Sequence, residues 1–321
     1  MKKLTNHRFA VVTLLLGAVF LVSCDTEEDF TEDTLEQTAN QDIEIVETQS
    51  TEEQEYDTDV NKAPWQGIFW DDFNTFNSNK WSKTQRADYN SSNCRYEAAQ
   101  VNVGEWQGTT YLELKAQKRN GTTWKSGHVK SKQSWRPARN QEIRFRAKIK
   151  FDAFQSGFRW KAFSSTYGLW PAFWTVQESN WPTRGEIDIM EGYTYGSSNN
   201  DKYASNLFYG TNAGTSILNG NQTTKYYSND VNGEGGWTTY EMRWSNRNGW
   251  NRVDIYVNGV RKRSYTNNNI DNLRLDRFSA HNMILNLNVG SDSGIFNNSN
   301  INVYERTNML VDWVSVQRRS I

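Results

Sequence analysis

The chain has 321 residues, 36% hydrophobic and 14% aromatic, with a formal net charge of −1. That length accommodates one large all-β domain or two smaller ones. With only two cysteines, Cys24 and Cys94, and three histidines, the sequence offers no disulfide framework and no zinc site.

The amino-terminal end reads as a targeting segment. Lys2, Lys3 and Arg8 form a positive region, and Phe9 to Leu21 form an apolar run of signal-peptide length. The run is short for a bilayer span, which needs about 20 residues. Leu21-Val22-Ser23-Cys24 resembles a bacterial lipobox. The resemblance implies that residues 1–23 are removed and that Cys24 is lipidated. The expected location is therefore outside the cell, anchored to the outer membrane and exposed at its surface. Cys94 is then left without an intrachain partner and is expected to be a small packed residue. Residues 24–62 contain fifteen acids and one lysine, the composition of a disordered, self-repelling tether. The acids directly after Cys24 resemble export signals of surface lipoproteins. The remaining domain, residues 63–321, has 32 basic and 22 acidic side chains, a net charge of about +10. Such a domain attracts anionic polymers. Its aromatic residues fall in no recognisable nucleic-acid motif, so a polysaccharide is expected, with no nucleic-acid partner.

From Trp65 onward, short alternating runs are separated by Asn, Gly and Ser clusters. Tyr111–Ala116 and Glu142–Phe151 alternate, and Arg252–Val257 enters the tight-turn pair Asn258-Gly259. Many evenly spaced strands with no second domain argue for an all-β sandwich or jelly roll, and a monomer is expected. Fourteen Trp and fifteen Tyr exceed what such a core uses, which suggests a groove lined with flat rings. His128 and His281 are read as structural residues. No spaced Ser or Cys partner supports a nucleophile triad.

The chemistry concentrates in Gly185-Glu186-Ile187-Asp188-Ile189-Met190-Glu191-Gly192, which sets three carboxylates into an apolar strand. Strand alternation puts Glu186 and Asp188 on one face and Glu191 on the other. One extra residue near Ile189-Met190, a β-bulge, would return Glu191 to the face of its partners, and bulges are over-represented beside active sites. Two carboxyl groups about 5 Å apart across a glycosidic bond equip a retaining glycosidase. A third acid between them can split their pKa values.

Glu186-Ile187-Asp188-Ile189-Met190-Glu191 resembles the catalytic signature of glycoside hydrolase family 16, in its form with the extra bulge residue. Gly168-Leu169-Trp170-Pro171-Ala172-Phe173-Trp174 and Met309–Val316 also resemble segments of that family. The resemblance implies a jelly roll with a concave substrate cleft and cofactor-free, endo-acting chemistry. Glu186 would be the nucleophile and Glu191 the acid/base, with Asp188 orienting Glu186 and helping to hold the proton on Glu191. Trp170, Trp174, Trp181, Arg184, Phe208 and Asn286 are the expected substrate contacts. Asp312 matches an acid that helps many members hold a structural calcium ion opposite the cleft. Laminarin-cleaving members usually carry His where this chain has Phe208. That difference, the positive domain and its arginines make an agar-type red-algal galactan, cleaved at β-1,4-galactosidic bonds, the expected substrate; the Trp-Pro-Ala-Phe-Trp box favours the alternative, a β-1,3- or mixed-linkage glucan. A transglycosylase and a glycan-capturing surface lipoprotein are the remaining alternatives.

Overall fold

In the computed structural model the described residues run from 62 to 321, without 88, 90–92, 107, 121–122, 156–158, 198–201, 218–235, 270–271 and 304. Cys24 and the acidic stretch through residue 61 lie outside them. Residues 61–321 form one compact unit. Its described strands build two sheets, of eleven and seven strands. Pairing is antiparallel throughout, except that Cys94–Tyr96 runs parallel to Thr123–Ser126. This is the expected all-β jelly-roll architecture.

The larger sheet is organised around the strand Gln141–Gln155, flanked by Thr238–Arg247 and Arg306–Ser320. Its alternation is strict. Ile143, Phe145, Ala147, Ile149 and Phe151 are buried, while Arg144, Arg146 and Lys148 point outward. The smaller sheet runs, edge to edge, through Thr215–Ile217, Lys202–Asn212, Glu186–Tyr193, Leu169–Val176, His281–Val289, His128–Trp135 and Trp81–Lys83. Ile187, Phe173, Leu285 and Leu287 turn inward and join Phe145, Trp244 and Met309 in one core. Burial of each such side chain stabilises the fold by roughly 1.5–3 kcal/mol before entropy is counted. Cys94 is 5% exposed and packs in this core, as expected.

The turns follow from the same chemistry. Asn258 and Gly259 both have positive φ, 49° and 79°, closing a two-residue hairpin between Trp250–Val257 and Val260–Thr266. Only residues tolerant of left-handed backbone suit both positions of that turn.

Because the inward side chains of the seven-stranded sheet fill the core, its other face is free for chemistry. Register assigns that face. Trp170, Ala172, Trp174 and Val176 alternate with the buried Leu169 and Phe173, and stand opposite Asn288, Asn286, Ile284 and Asn282. On the other side, Ala172, Trp174 and Val176 oppose Glu191, Asp188 and Glu186.

Candidate active site

The three acids reach one face through a bulge in the strand Glu186–Tyr193. Between Asp188 and Glu191 this strand advances three residues. The neighbouring strands each advance two, from Trp174 to Ala172 and from Asn206 to Ala204. Met190 pairs with Phe173, so Ile189 is the additional residue. Ile189 and Met190 are both fully buried, so the apolar core retains them while Glu191 is turned back toward its partners. The approach to this strand is equally constrained. Gly185 has φ +85°, and a Cβ there would lie 2.3 Å from the Phe278 ring, so a side chain is excluded just before Glu186.

The hydrogen bonds of the acids are unequal. The Trp181 indole N–H donates to Glu186 Oε2 at 2.8 Å. Glu191 receives the Trp170 indole N–H at Oε1 (2.8 Å), the Asn206 amide at Oε2 (2.6 Å) and the Tyr193 hydroxyl at Oε2 (3.0 Å). Asp188 hydrogen-bonds Glu191 as well. Asp188 lies between the two glutamates, and the charge of each raises its pKa.

Burial raises all three pKa values, since charge is poorly solvated there. Glu186 is pushed up to about 8 by burial and by the charges of Glu191 and Glu178, against the pull of Trp181. Asp188 is driven well above the carboxylate range by burial and by its two acidic neighbours. Glu191 is raised by burial, an effect opposed by Asn206, Trp170, Tyr193 and Asp188. The trio therefore titrates as one unit. Asp188, driven up by burial and by both neighbours, is the acid of the three that holds its proton most firmly. Near neutral pH the cluster holds both a carboxylate and an acid, as general acid/base chemistry requires.

Aromatic rings flank both ends of the trio. Trp181 and Phe208 lie at the Glu186 end, with ring centroids 5.9 Å apart, and Phe208 pairs directly with Glu186 across the sheet. Trp170, Tyr193, Tyr195, Phe296 and Tyr167 form a wall at the Glu191 end. Glu178, which takes hydrogen bonds from Tyr89 and Lys130, adds a further charge near Glu186.

Not every expected contact is available to a ligand. Asn286 is fully buried, accepting the Trp174 indole N–H at 2.6 Å and donating to Asn288 at 2.9 Å. Trp174 is 6% exposed and packs with Ala172, Val176 and Ile284 beneath Trp181. These two residues form the floor of the site, which corrects the expectation that they touch substrate. Arg184 is exposed, and its carbonyl accepts the His281 Nε2–H at 3.0 Å. His128 and His281 are buried, and burial lowers them to about 3 and about 4, so both stay neutral.

Asp312 lies in the other sheet, at a bulge between Val311 and Trp313. Its Oδ2 accepts the Lys148 ammonium at 2.7 Å. No group of three or more His, Cys, Asp and Glu suited to a metal occurs among the described residues. A single carboxylate already neutralised by lysine does not fit a calcium ion, which takes six to eight oxygen ligands.

Comparison with known proteins agrees with this geometry. The family model described as the XgeA-like catalytic domain of glycoside hydrolase family 16 matches residues 81–242. The chain belongs to glycoside hydrolase family 16 and is a glycosidase. A family 16 endo-glucanase from Bacteroides ovatus, solved in complex with G4G3G-2F-DNP, is 25% identical. That likeness covers 78% of this chain and 99% of that one, with a TM-score of 0.57. An endo-1,3-β-glucanase from Streptomyces sioyaensis is 22% identical over 81% of this chain and 99% of its own, with a TM-score of 0.60. A probable glycosidase of Schizosaccharomyces pombe is 59% identical over 32 residues, which are 10% of this chain and 7% of that relative.

Proposed function

We propose that the protein is a retaining, endo-acting β-glucanase that works as a monomer, in which Glu186 is the nucleophile and Glu191 the acid/base. The observation that carries the reading is the bulge at Ile189, which brings the carboxyl groups of Glu186, Asp188 and Glu191 to one aromatic-walled face. Among the described residues Glu186 accepts a single hydrogen bond, from Trp181, and its side chain is partly exposed.

In the first step the Glu186 carboxylate attacks the anomeric carbon. The bond to the departing oxygen breaks, and Glu191 protonates that oxygen. A glycosyl ester on Glu186 results. Attack uses the ionised form of Glu186, which a pKa of about 8 makes the minor form near neutral pH, while Asp188 and Glu191 hold the proton for the leaving group. In the second step Glu191, now ionised, takes a proton from water as the water oxygen attacks the same carbon and frees Glu186.

For the sugar, the likeness to the Bacteroides ovatus endo-glucanase supports a mixed-linkage or β-1,3-glucan. It favours that class over the agar-type galactan. Two features keep the galactan as the second reading: the domain charge of about +10 and Phe208 beside Glu186. The Cys24 motif supports anchoring of the catalytic domain at the outer-membrane surface through the acidic stretch.

Digestion of mixed-linkage β-glucan, laminarin, agarose, porphyran and carrageenan, with product sizing and anomer detection, tests the reading. Internal cleavage of a glucan with retention of configuration is expected, and Glu186→Gln and Glu191→Gln should each cut turnover by about 10³-fold or more while the fold survives. Cleavage confined to a galactan would overturn the glucan assignment. Near-native turnover in either variant would overturn the roles.

A further inference from the structure

We infer that the outward face of the eleven-stranded sheet carries a second carbohydrate site, shaped for a neutral glycan segment and separate from the catalytic cleft. A cavity of about 340 Å³ opens there, lined by residues of three strands distant in sequence: Thr109–Asn120, Gln141–Gln155 and Arg306–Ser320, together with Trp237. Its side chains alternate with core residues. Asp152 and Lys150 flank the buried Phe151, and Asn308 and Leu310 flank the buried Met309. Both sheets therefore stand between this cavity and Glu186, which lies on the far face of the smaller sheet.

The wall chemistry selects the ligand class. Tyr111, Phe154 and Trp237 supply ring faces, and the Arg306 guanidinium sits 4.4 Å over the Phe154 ring. Two carboxylates, Glu113 and Asp152, balance two cations, Lys150 and Arg306, so neither an anion nor a cation is favoured. Asn308 is only 2% exposed, and its Oδ1 has no hydrogen-bond partner among the described residues. Arg306 Nε is likewise buried without one. Buried polar atoms left unpaired are costly, so a purely apolar occupant would leave that cost in place. A neutral sugar answers every term. Its hydroxyls donate and accept, its C–H faces lie against aromatic rings, and it carries no charge. The cavity is of ordinary small-ligand size. Tethered to the protein surface in this way, a polysaccharide stays near the cleft at raised effective concentration.

The test is hydrogen exchange read by mass spectrometry on the full chain carrying Glu186→Gln, with laminarihexaose, a mixed-linkage β-glucan hexasaccharide and agarohexaose as probes. At least one probe should slow exchange in residues 109–113, 150–154 and 306–310. Trp237→Ala or Arg306→Gln should weaken that protection at least tenfold, with the melting temperature retained. In the active enzyme the same substitutions should leave turnover of a short oligosaccharide unchanged and raise KM for the polymer several-fold. Protection by none of the probes at these strands, or protection that survives both substitutions, overturns the inference. Protection of residues 186–193 and hydrolysis itself are read separately, so failure of this site and failure of the glucanase reading are distinguishable.

Discussion

Replacing Glu186 by Gln should stabilise the protein, and by an amount that depends on pH. In the fold the Glu186 pKa rises from 4.5 to about 8. The folded state therefore keeps a proton that the unfolded chain has already released between those values. Wherever the native state binds more protons than the unfolded state, stability falls as pH rises. The loss begins near pH 4.5, accumulates to about pH 8 and then levels off. At about 1.36 kcal/mol per unit, a lone group shifted this far would cost about 4–5 kcal/mol. Glu186 shares its environment with Asp188 and Glu191, so about 2–4 kcal/mol is the expected share. The amide is nearly isosteric with the protonated acid, and its carbonyl can still accept the Trp181 N–H. Urea unfolding of wild type and Glu186→Gln, at fixed pH values from 4 to 9, measures the difference through the transition midpoints at unchanged slope. Near-equal stability at pH 4 and a variant advantage of about 2–4 kcal/mol at pH 8.5 are expected. A difference that does not change with pH would refute the argument, because it would mean that Glu186 is no harder to ionise in the fold than in the open chain.

Three further outcomes follow from the same geometry. Trp170→Phe removes a donor whose hydrogen bond lowers the Glu191 pKa. The alkaline limb of kcat/KM should move up by about one unit, and a downward move would contradict the assigned role. Gly185→Ala forces a Cβ to 2.3 Å from the Phe278 ring at φ +85°. A loss of about 2 kcal/mol or more in thermal unfolding is expected, and a neutral substitution would show that the approach to Glu186 is less constrained than described. Exhaustive chelation should leave the melting temperature unchanged. A fall of several degrees restored by calcium would show that Lys148 does not replace an ion beside Asp312.

Much of this site was legible in the chain because strand geometry is a parity rule. Glu186 and Asp188 share a face by spacing alone, and Glu191 joins them only if one residue is inserted, which is what Ile189 supplies. Parity gives a face but not a partner. It could not tell that Tyr193 and Asn206 complete the set of donors to Glu191. Tyr193 was within reach of sequence reasoning, since it ends the same strand two residues beyond Glu191. Asn206 and Glu178 required the register of other segments. Trp174 and Asn286 were misjudged for a different reason. They stand on the correct face, but Trp181 packs over the Trp174 cluster and the Trp174 indole uses the Asn286 carbonyl. The second cavity has no local signature at all, because its three strands lie roughly 40 to 150 residues apart and meet only through pairing.

The unequal treatment of the three acids has a consequence for how the cluster works. If burial alone set the pKa values, Glu186 and Glu191 would rise together, and neither would be distinguished as nucleophile or acid. The protein separates them by donors. Among the described residues Glu191 receives Trp170, Tyr193 and Asn206 as well as Asp188, whereas Glu186 receives Trp181 alone. A carboxylate with several donors tolerates repeated gain and loss of a proton, because its anion is solvated at each return. A carboxylate with one donor is costly as an anion and is relieved by forming a covalent ester. The reaction asks for one group of each kind, one that cycles a proton and one that gives up its charge to carbon. On this argument the single-residue bulge does more than align the acids. By carrying Glu191 into the reach of Asn206, Tyr193 and Asp188, it gives Glu191 and Glu186 the different surroundings that their proposed roles require.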